Sequence, residues 1–422
     1  MKRKLPAYTV YLILSGGMAF FFTLWGFITG IYRVEDVGLT PFQLIMLGTA
    51  LELTVLLFEV PTGIVADLRS RRLSVLIGYV IIGIGFIVEG SLPFFVPVLL
   101  AQIIWGIGYT FTSGAQDAWL ADEIGEENLM QAYLRATQVS LVANLLGLAI
   151  GMGLGSVRHN LPMLIGGGGI LLLALFLAGV MPETGFKPTP QPDRNSWQKM
   201  GHTFKEGIRV VRGRNTLILI MVIAVIFGLS SEGRDRLWQA HLLTNFTLPQ
   251  VGGLTPVTWF GLMEVTLICL NLGVSEFIRR RPNLNQPHTV IWVQMIMTTG
   301  YLITLTIFAL TGHVGLAMSA ITLNSVLRVA NGPLYGAWLN RQIAEPQVRA
   351  TVLSMNGQLD ALGQVIGGIM MAAIAQWWGM RTALLGVVIL LLPVLGLYWL
   401  ALRLTPNLIE EPEPPPVIQI GD

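Results

Sequence analysis

Long apolar runs recur along the chain, broken at intervals by short polar clusters. A helix needs about 20 apolar residues to cross a bilayer. Twelve stretches meet that need, centred near Phe20, Glu52, Ile82, Ile104, Leu146, Leu172, Val225, Leu267, Met297, Leu323, Ile366 and Val394. The first begins after Lys2-Arg3-Lys4 and runs from about Tyr8 to Gly30. It is longer than the apolar core of a cleavable leader and has no small-residue cleavage site, so it reads as a spanning helix.

Composition narrows the class. Of 422 residues, 53% are hydrophobic and 12% charged, against roughly a quarter charged in soluble domains, so lipid surrounds most of the chain. A net charge of +2 without a clustered basic face excludes a nucleic-acid partner. The single cysteine, Cys269, forms no intramolecular disulfide and lies in an apolar run that gives it a packing role.

Charge orients the spans. With the N-terminus inside, the cytoplasmic segments hold Lys2 to Lys4, Arg69 to Arg72, Arg135, the bases from Lys187 to Arg214, Arg279 to Arg281, Arg341, Arg349 and Arg403. The external segments keep Arg33, Arg158, Arg234, Arg236 and Arg381. This positive-inside bias places both termini in the cytoplasm of a bacterial inner membrane protein. Residues 1–181 form an N-terminal six-helix bundle and 215–404 a C-terminal one. Residues 182–214 form a cytoplasmic central loop, and 405–422 a disordered Pro- and Glu-rich tail. Within the loop, Trp197, Met200, Phe204, Ile208 and Val211 recur at helical spacing among basic residues. That pattern fits an amphipathic helix on an anionic leaflet, or else a solvated linker.

The halves echo each other. Leu39-Thr-Pro41 is answered by Leu254-Thr-Pro256, and Glu52-Leu-Thr54 by Glu264-Val-Thr266. The segment Ser113 to Leu120 is answered by Asn331 to Leu339, and Arg135-Ala-Thr137 by Arg349-Ala-Thr351. Four matches in one order indicate an internal duplication, common in secondary transporters.

Between the second and third spans runs Pro61-Thr-Gly63-Ile-Val-Ala-Asp67-Leu-Arg69-Ser-Arg71-Arg72. It resembles the G-x-x-x-D-x-x-x-R-[RK] signature of the major facilitator superfamily, with Gly63, Asp67, Arg71 and Arg72 at the matching places. The resemblance implies an all-α membrane protein, twelve transmembrane helices in two pseudo-symmetric six-helix bundles. It also implies a conformational latch at those four residues that holds an outward-facing state; a purely topogenic positive loop is the alternative. The second copy, Gly273 to Arg281, is degenerate. The chain is similar to the tetracycline and macrolide efflux-like drug:proton antiporters, with two departures. Gln102 stands where such antiporters carry an arginine before Gly106, and the glycine-rich fifth span lacks a proline.

Ionisable residues inside spans are costly and tend to face a cavity or a partner. Glu52 and Glu264 occupy equivalent places in spans two and eight. They are the first candidates for proton coupling or for holding a cationic substrate, a structural hydrogen-bonded role being the rival reading for each. Arg328 and Asp360 fall at similar depth and are placed to pair. Glu232 to Trp238 reads as an extension of the seventh span into the outer vestibule, solvated or mutually paired. Phe20, Phe21, Phe22, Trp25, Trp105, Tyr109 and Trp259 are candidates to line an apolar cavity, Trp25 and Trp105 foremost; the rival reading puts such aromatics against lipid.

The run Gly166 to Gly169 lies inside a span with no Gly-Lys-Ser/Thr after it, which removes ATP drive. The five histidines are scattered, so no metal and no cofactor is expected. No nucleophile with its base can be assembled, which argues against an enzyme. A channel or scramblase is the remaining rival, and the duplication favours a carrier. The expected protein is a monomer, working by alternating access. Proton-coupled efflux of an amphipathic compound leads, and uptake of a nutrient or metabolite is the alternative.

Overall fold

The computed structural model describes residues 4–187, 205, 207–209, 211–281, 286–343 and 346–405. Among them every regular element is helical. The N-half contains α1 (Ala7–Gly26), α2 (Pro41–Leu68), α3 (Arg71–Ser91), α4 (Phe95–Thr112), α5 (Glu126–Val157) and α6 (Leu161–Val180), with a short helix Ala115–Ile124 after α4. The C-half contains α7 (Asn215–Asn245), α8 (Pro256–Arg279), α9 (Pro287–Leu310), α10 (Val314–Arg341) and the segment Pro346–Leu404. As one straight helix those 59 residues would run about 88 Å at ~1.5 Å per residue, near three bilayer cores. Gly379 breaks it with φ 84° and ψ 170°, a backbone region that side chains disfavour. The result is α11 (346–378) and α12 (380–404), folded back on each other so that a Cβ on Gly386 would meet Met371 at 3.5 Å.

The repeated Leu-Thr-Pro sequences are helix starts. Thr40 and Gln43 form a reciprocal capping box ahead of α2, with Pro41 at its first position. Thr255 accepts from the Thr258 N–H at 3.3 Å ahead of α8, with Pro256 in the same place. Lipid supplies no hydrophobic drive between helices, so small residues let backbones approach. At α3 and α6 the approach is mutual: a Cβ on Gly83 would lie 2.9 Å from the Gly167 carbonyl, and one on Gly167 2.7 Å from the Gly83 carbonyl. Large apolar side chains such as Leu172, Leu175 and Trp377 remain on the outside, where a bilayer would cover them.

Both described termini lie at one end of the bundle. There the Lys4 ammonium donates to the Met181 carbonyl at 2.6 Å, and Glu183 caps α3 by accepting from Ser70 Oγ and the Arg72 N–H. At the opposite end the halves close on each other. Gln239 of α7 donates to the Phe27 carbonyl beyond α1 at 3.4 Å, and a Cβ on Gly155 of α5 would touch Val257 of α8 at 3.2 Å.

Three expectations change. Glu232 to Trp238 does continue the seventh helix and its charges are mutually paired, Glu232 with Arg236 and Arg234 with Asp235, but Glu232 and Arg234 are buried rather than solvated. Arg33, in the connection between α1 and α2, is likewise buried rather than solvated. Cys269 is exposed on α8 rather than packed. Most of the proposed amphipathic helix, including Trp197, Met200 and Phe204, and the tail after Thr405 lie outside the described residues.

Candidate functional site

Three adjoining cavities occupy the centre. The one nearest the closed end holds about 550 Å³ and is walled by α1, α2, α5, α7 and α8, with Trp25, Arg33, Asp235, Arg236 and Glu264 on its surface. The next, about 460 Å³, lies among α1, α2, α4 and α11 and carries Glu52, Glu59, Trp105, Tyr109 and Asp360. Phe22 is common to both. The third, about 320 Å³, lies within the C-half among α7, α9, α10 and α11, and shares Gly357, Asp360 and Gln364 with the second. Glu59, Tyr109, Ser113 and Ser354 on the second cavity's wall are exposed, so the space opens toward the end that carries the termini.

The structure therefore brings Glu52, Glu264, Arg328, Asp360, Trp25 and Trp105 to the walls of these three adjoining cavities. The two glutamates of the repeat do not occupy matching places in it. Glu52 comes eleven residues after Pro41 and Glu264 eight after Pro256, a difference of about one helical turn. Glu52 thus faces the open side and Glu264 the closed side. Neither makes a side-chain hydrogen bond or ion pair among the described residues. Of the seven candidate aromatics, Phe22, Trp25, Trp105 and Tyr109 line the space and stack edge to face on one another. Trp259 instead donates to the Pro249 carbonyl at 2.8 Å, and Phe21 packs against Gly169.

Behind the aromatics lies a network that sequence reading missed. Glu89 of α3 is fully buried. It accepts from Arg33 Nε at 2.8 Å, Trp25 Nε1 at 3.1 Å and Gln102 Nε2 at 3.1 Å, while Gln102 Oε1 accepts from Trp105 Nε1 at 3.0 Å. An arginine is thus present at this depth, but it arrives from the chain beyond α1. There the helix breaks after Gly26 and resumes as the short turns Thr29–Ile31 and Tyr32–Asp36, the latter wound as a π-helix that turns Arg33 inward. The available signal was a carboxylate inside the apolar run that precedes Gly90.

The C-half carries its own network. Arg328 does not pair with Asp360. It bonds Asp235, which also accepts from Arg234 Nη1 at 3.0 Å, because Asp235 lies inside α7 rather than outside the bundle. Arg234 continues to Asn324 Oδ1 at 3.1 Å and to Ser325 Oγ. Arg236 bonds Glu232 at 3.0 Å, and that pair packs on α2 where Gly48 makes room: a Cβ there would lie 1.6 Å from Glu232 Oε2. Asp360 keeps Gln364 as its partner, at 2.8 Å.

The four latch candidates are at the open end. Arg71 bonds Asp122 at 2.5 Å and the Ala118 carbonyl at 2.8 Å, and Arg72 reaches the Ala178 carbonyl, all within the N-half. Asp67 is exposed and has no hydrogen bond or ion pair among the described residues. A Cβ on Gly63 would meet nothing within 4 Å.

Comparison with known proteins adds to this geometry. The sequence profile of the Major Facilitator Superfamily matches residues 10–341. The chain is 21% identical over 369 residues to the uncharacterized MFS-type transporter YxaM of Bacillus subtilis (strain 168), covering 86% of this chain and 88% of that one. Among solved structures it resembles the nucleoside transporter NupG, with TM-score 0.70, 14% identity, and 94% and 100% of the two chains covered. It also resembles a POT family transporter in complex with a thioalcohol-conjugated peptide, with TM-score 0.74, 12% identity, and 94% and 96% covered. At those identities the likeness speaks for the fold.

Proposed function

The chain belongs to the Major Facilitator Superfamily as a multi-pass membrane transporter, and from that premise we propose that it exports a small amphipathic compound in exchange for protons. The observation that carries the reading is Glu52. It is a carboxylate without an arginine partner, set in the wall of a cavity that Phe22, Trp105 and Tyr109 make aromatic. Such a group can hand a proton between the cavity and bulk water, while the paired acids Glu89, Glu232 and Asp235 are occupied by arginines. Glu264, on the closed side, is the acid that meets water once the halves have rocked. The end carrying the termini is then cytoplasmic, and the structure is an inward-open state with Gly63, Asp67, Arg71 and Arg72 disengaged from the C-half. Closing that end would bring Asp67 within reach of the C-half. The protein functions in this reading as a monomer in a bacterial inner membrane.

The test uses inverted membrane vesicles with an inward-acid pH gradient and a fluorescent amphipathic cation. Wild type accumulates the probe, and Glu52→Gln abolishes gradient-driven accumulation; Glu264→Gln slows it at the opposite step. Wild-type accumulation in both variants would sink proton coupling through these acids. The hydrogen-bonding wall of the C-half cavity favours a second reading, facilitated or proton-coupled uptake of a defined metabolite. It predicts counterflow of that metabolite in vesicles without any gradient.

A further inference from the structure

The charges of the C-half do not balance where they meet. Arg234, Arg236 and Arg328 share two carboxylates: Glu232 bonds Arg236, while Asp235 serves both Arg234 and Arg328. Of the three guanidinium groups, Arg328 is the one on the wall of the C-half cavity. Its one side-chain bond among the described residues is to Asp235, and its side chain is 38% exposed. Most of a planar group with five donors is therefore left for the cavity. On the same wall stands an acid with the opposite need. Asp360 of α11 receives one hydrogen bond, from Gln364 a turn further along the same helix, at 2.8 Å. Among the described residues no base bonds it, and it is half-buried rather than sealed. Arg328 acts on it electrostatically, yet the two line the cavity without pairing.

Ionised groups at membrane depth are costly unless something neutralises them. A cavity of about 320 Å³ that presents a half-satisfied guanidinium and an unpaired carboxylate suits a ligand with one charge of each sign. A carboxylate on the ligand fits Arg328, whose fork binds two oxygens at once, and an ammonium fits Asp360. A cation alone would leave Arg328 as it stands, and an anion alone would leave Asp360 so. Asp360 also lines the second cavity. A ligand whose head lies between the two charges can therefore extend past Asp360 toward Phe22, Trp105 and Tyr109, a surface suited to an aromatic ring.

We propose that the compound carried is a zwitterion with an aromatic body, of the class of the aromatic α-amino acids, its carboxylate on Arg328 and its ammonium on Asp360. This rests on the reading of the central cavities as the transport site. It goes further by naming the charges the ligand must carry. Glu52, on the wall that Asp360 shares, remains free to carry the proton.

The experiment measures equilibrium binding of radiolabelled L-tryptophan, tryptamine and indole-3-propionate to the full chain in lipid nanodiscs. The three share one ring system; tryptamine lacks the carboxylate and indole-3-propionate lacks the ammonium. Tryptophan is expected to bind at least about tenfold tighter than either. Arg328→Gln should bring tryptophan down to the affinity of tryptamine, with tryptamine itself bound no more weakly than before. Asp360→Asn should bring tryptophan down to indole-3-propionate, which is likewise retained. Asp235 keeps Arg234 in the first variant, and the second is nearly isosteric, so retained binding of the singly charged ligand shows that the pocket still stands. Either singly charged ligand binding the wild type as tightly as tryptophan would overturn the zwitterion site. So would full tryptophan affinity in both variants, the result expected if Arg328 and Asp360 serve only to pair with each other in another state. If tryptophan fails to bind while gradient-driven transport of the fluorescent cation persists, the zwitterion assignment falls and proton-coupled export stands. If it binds as expected while no pH gradient drives any transport, the zwitterion site stands and proton-coupled export falls.

Discussion

The two halves share a repeat but connect their buried polar groups differently. In the N-half, Glu89 has three side-chain donors, Gln102 is bonded at both ends, and Trp119 Nε1 donates to the Pro182 carbonyl at 2.8 Å. The exceptions there are single nitrogens of Arg33, Arg71 and Arg72, whose guanidinium groups are otherwise engaged. In the C-half, Trp338 stands where the repeat puts Trp119, and its Nε1 is unpaired among the described residues. So is Gln294 Nε2, although Gln294 Oε1 accepts from the Tyr398 hydroxyl at 3.2 Å. The N-half ties one buried acid to three separate segments of the chain, whereas the C-half concentrates its charges on α7 and α10, where Asp235 holds both Arg234 and Arg328.

Removing Glu89 should break the comparison most severely. Glu89→Ala leaves Arg33 buried and unpaired, a loss of about 3–5 kcal/mol, seen as a sharp drop in melting temperature or in recovered protein. The double variant Arg33→Leu/Glu89→Leu should recover most of it, since an apolar pair replaces a buried ion pair at little cost. A double variant as unstable as Glu89→Ala would mean the network does more than neutralise itself. Asp235→Asn, the corresponding change in the C-half, should cost less, about 1.5–3 kcal/mol, because Arg328 itself lines a cavity where water can reach it. Equal losses in the two halves would erase the distinction.

Smaller effects sharpen it. Gln239→Ala removes a bond that closes one end, worth about 1 kcal/mol, and should shift the equilibrium about fivefold toward the state open at that end. Fluorescence from a reporter at Val251 would register the change. Glu52→Gln should alter melting by no more than about 0.5 kcal/mol, since Glu52 has no bonded partner to lose. Marked destabilisation would recast Glu52 as a structural acid.

Periodicity and length sufficed for the helices, because a bilayer imposes both on the sequence. The break at Gly379 was readable as an interruption between two apolar runs, and the Leu-Thr-Pro pair marked two helix starts by ordinary capping chemistry. The site was legible in part. Charges near the middle of long runs, Glu52, Glu264, Arg328 and Asp360, do line the central space. For those near the ends of runs, Arg33, Arg234 and Arg236, the sequence did not reveal that they turn inward to buried partners. Sequence alone does not say that α1 gives way to a π turn, or that α7 continues well past its apolar stretch. The Arg328–Asp360 pairing failed for the same reason, since the nearer acid, Asp235, had been placed outside the bundle. Glu89 went unseen because its partners come from three separate segments of the chain.

Alternating access requires two halves that rock about the central space. Two spin-label pairs in a Cys269→Ser background test it most directly: Ser113 with Ser354 across the open mouth, and Val157 with Val251 across the closed end. Distances measured by double electron–electron resonance in nanodiscs, at acidic and at neutral pH, should show two populations in which the first pair shortens as the second lengthens. A single unchanging distance in both pairs, or both moving in the same direction, would contradict alternating access in this chain.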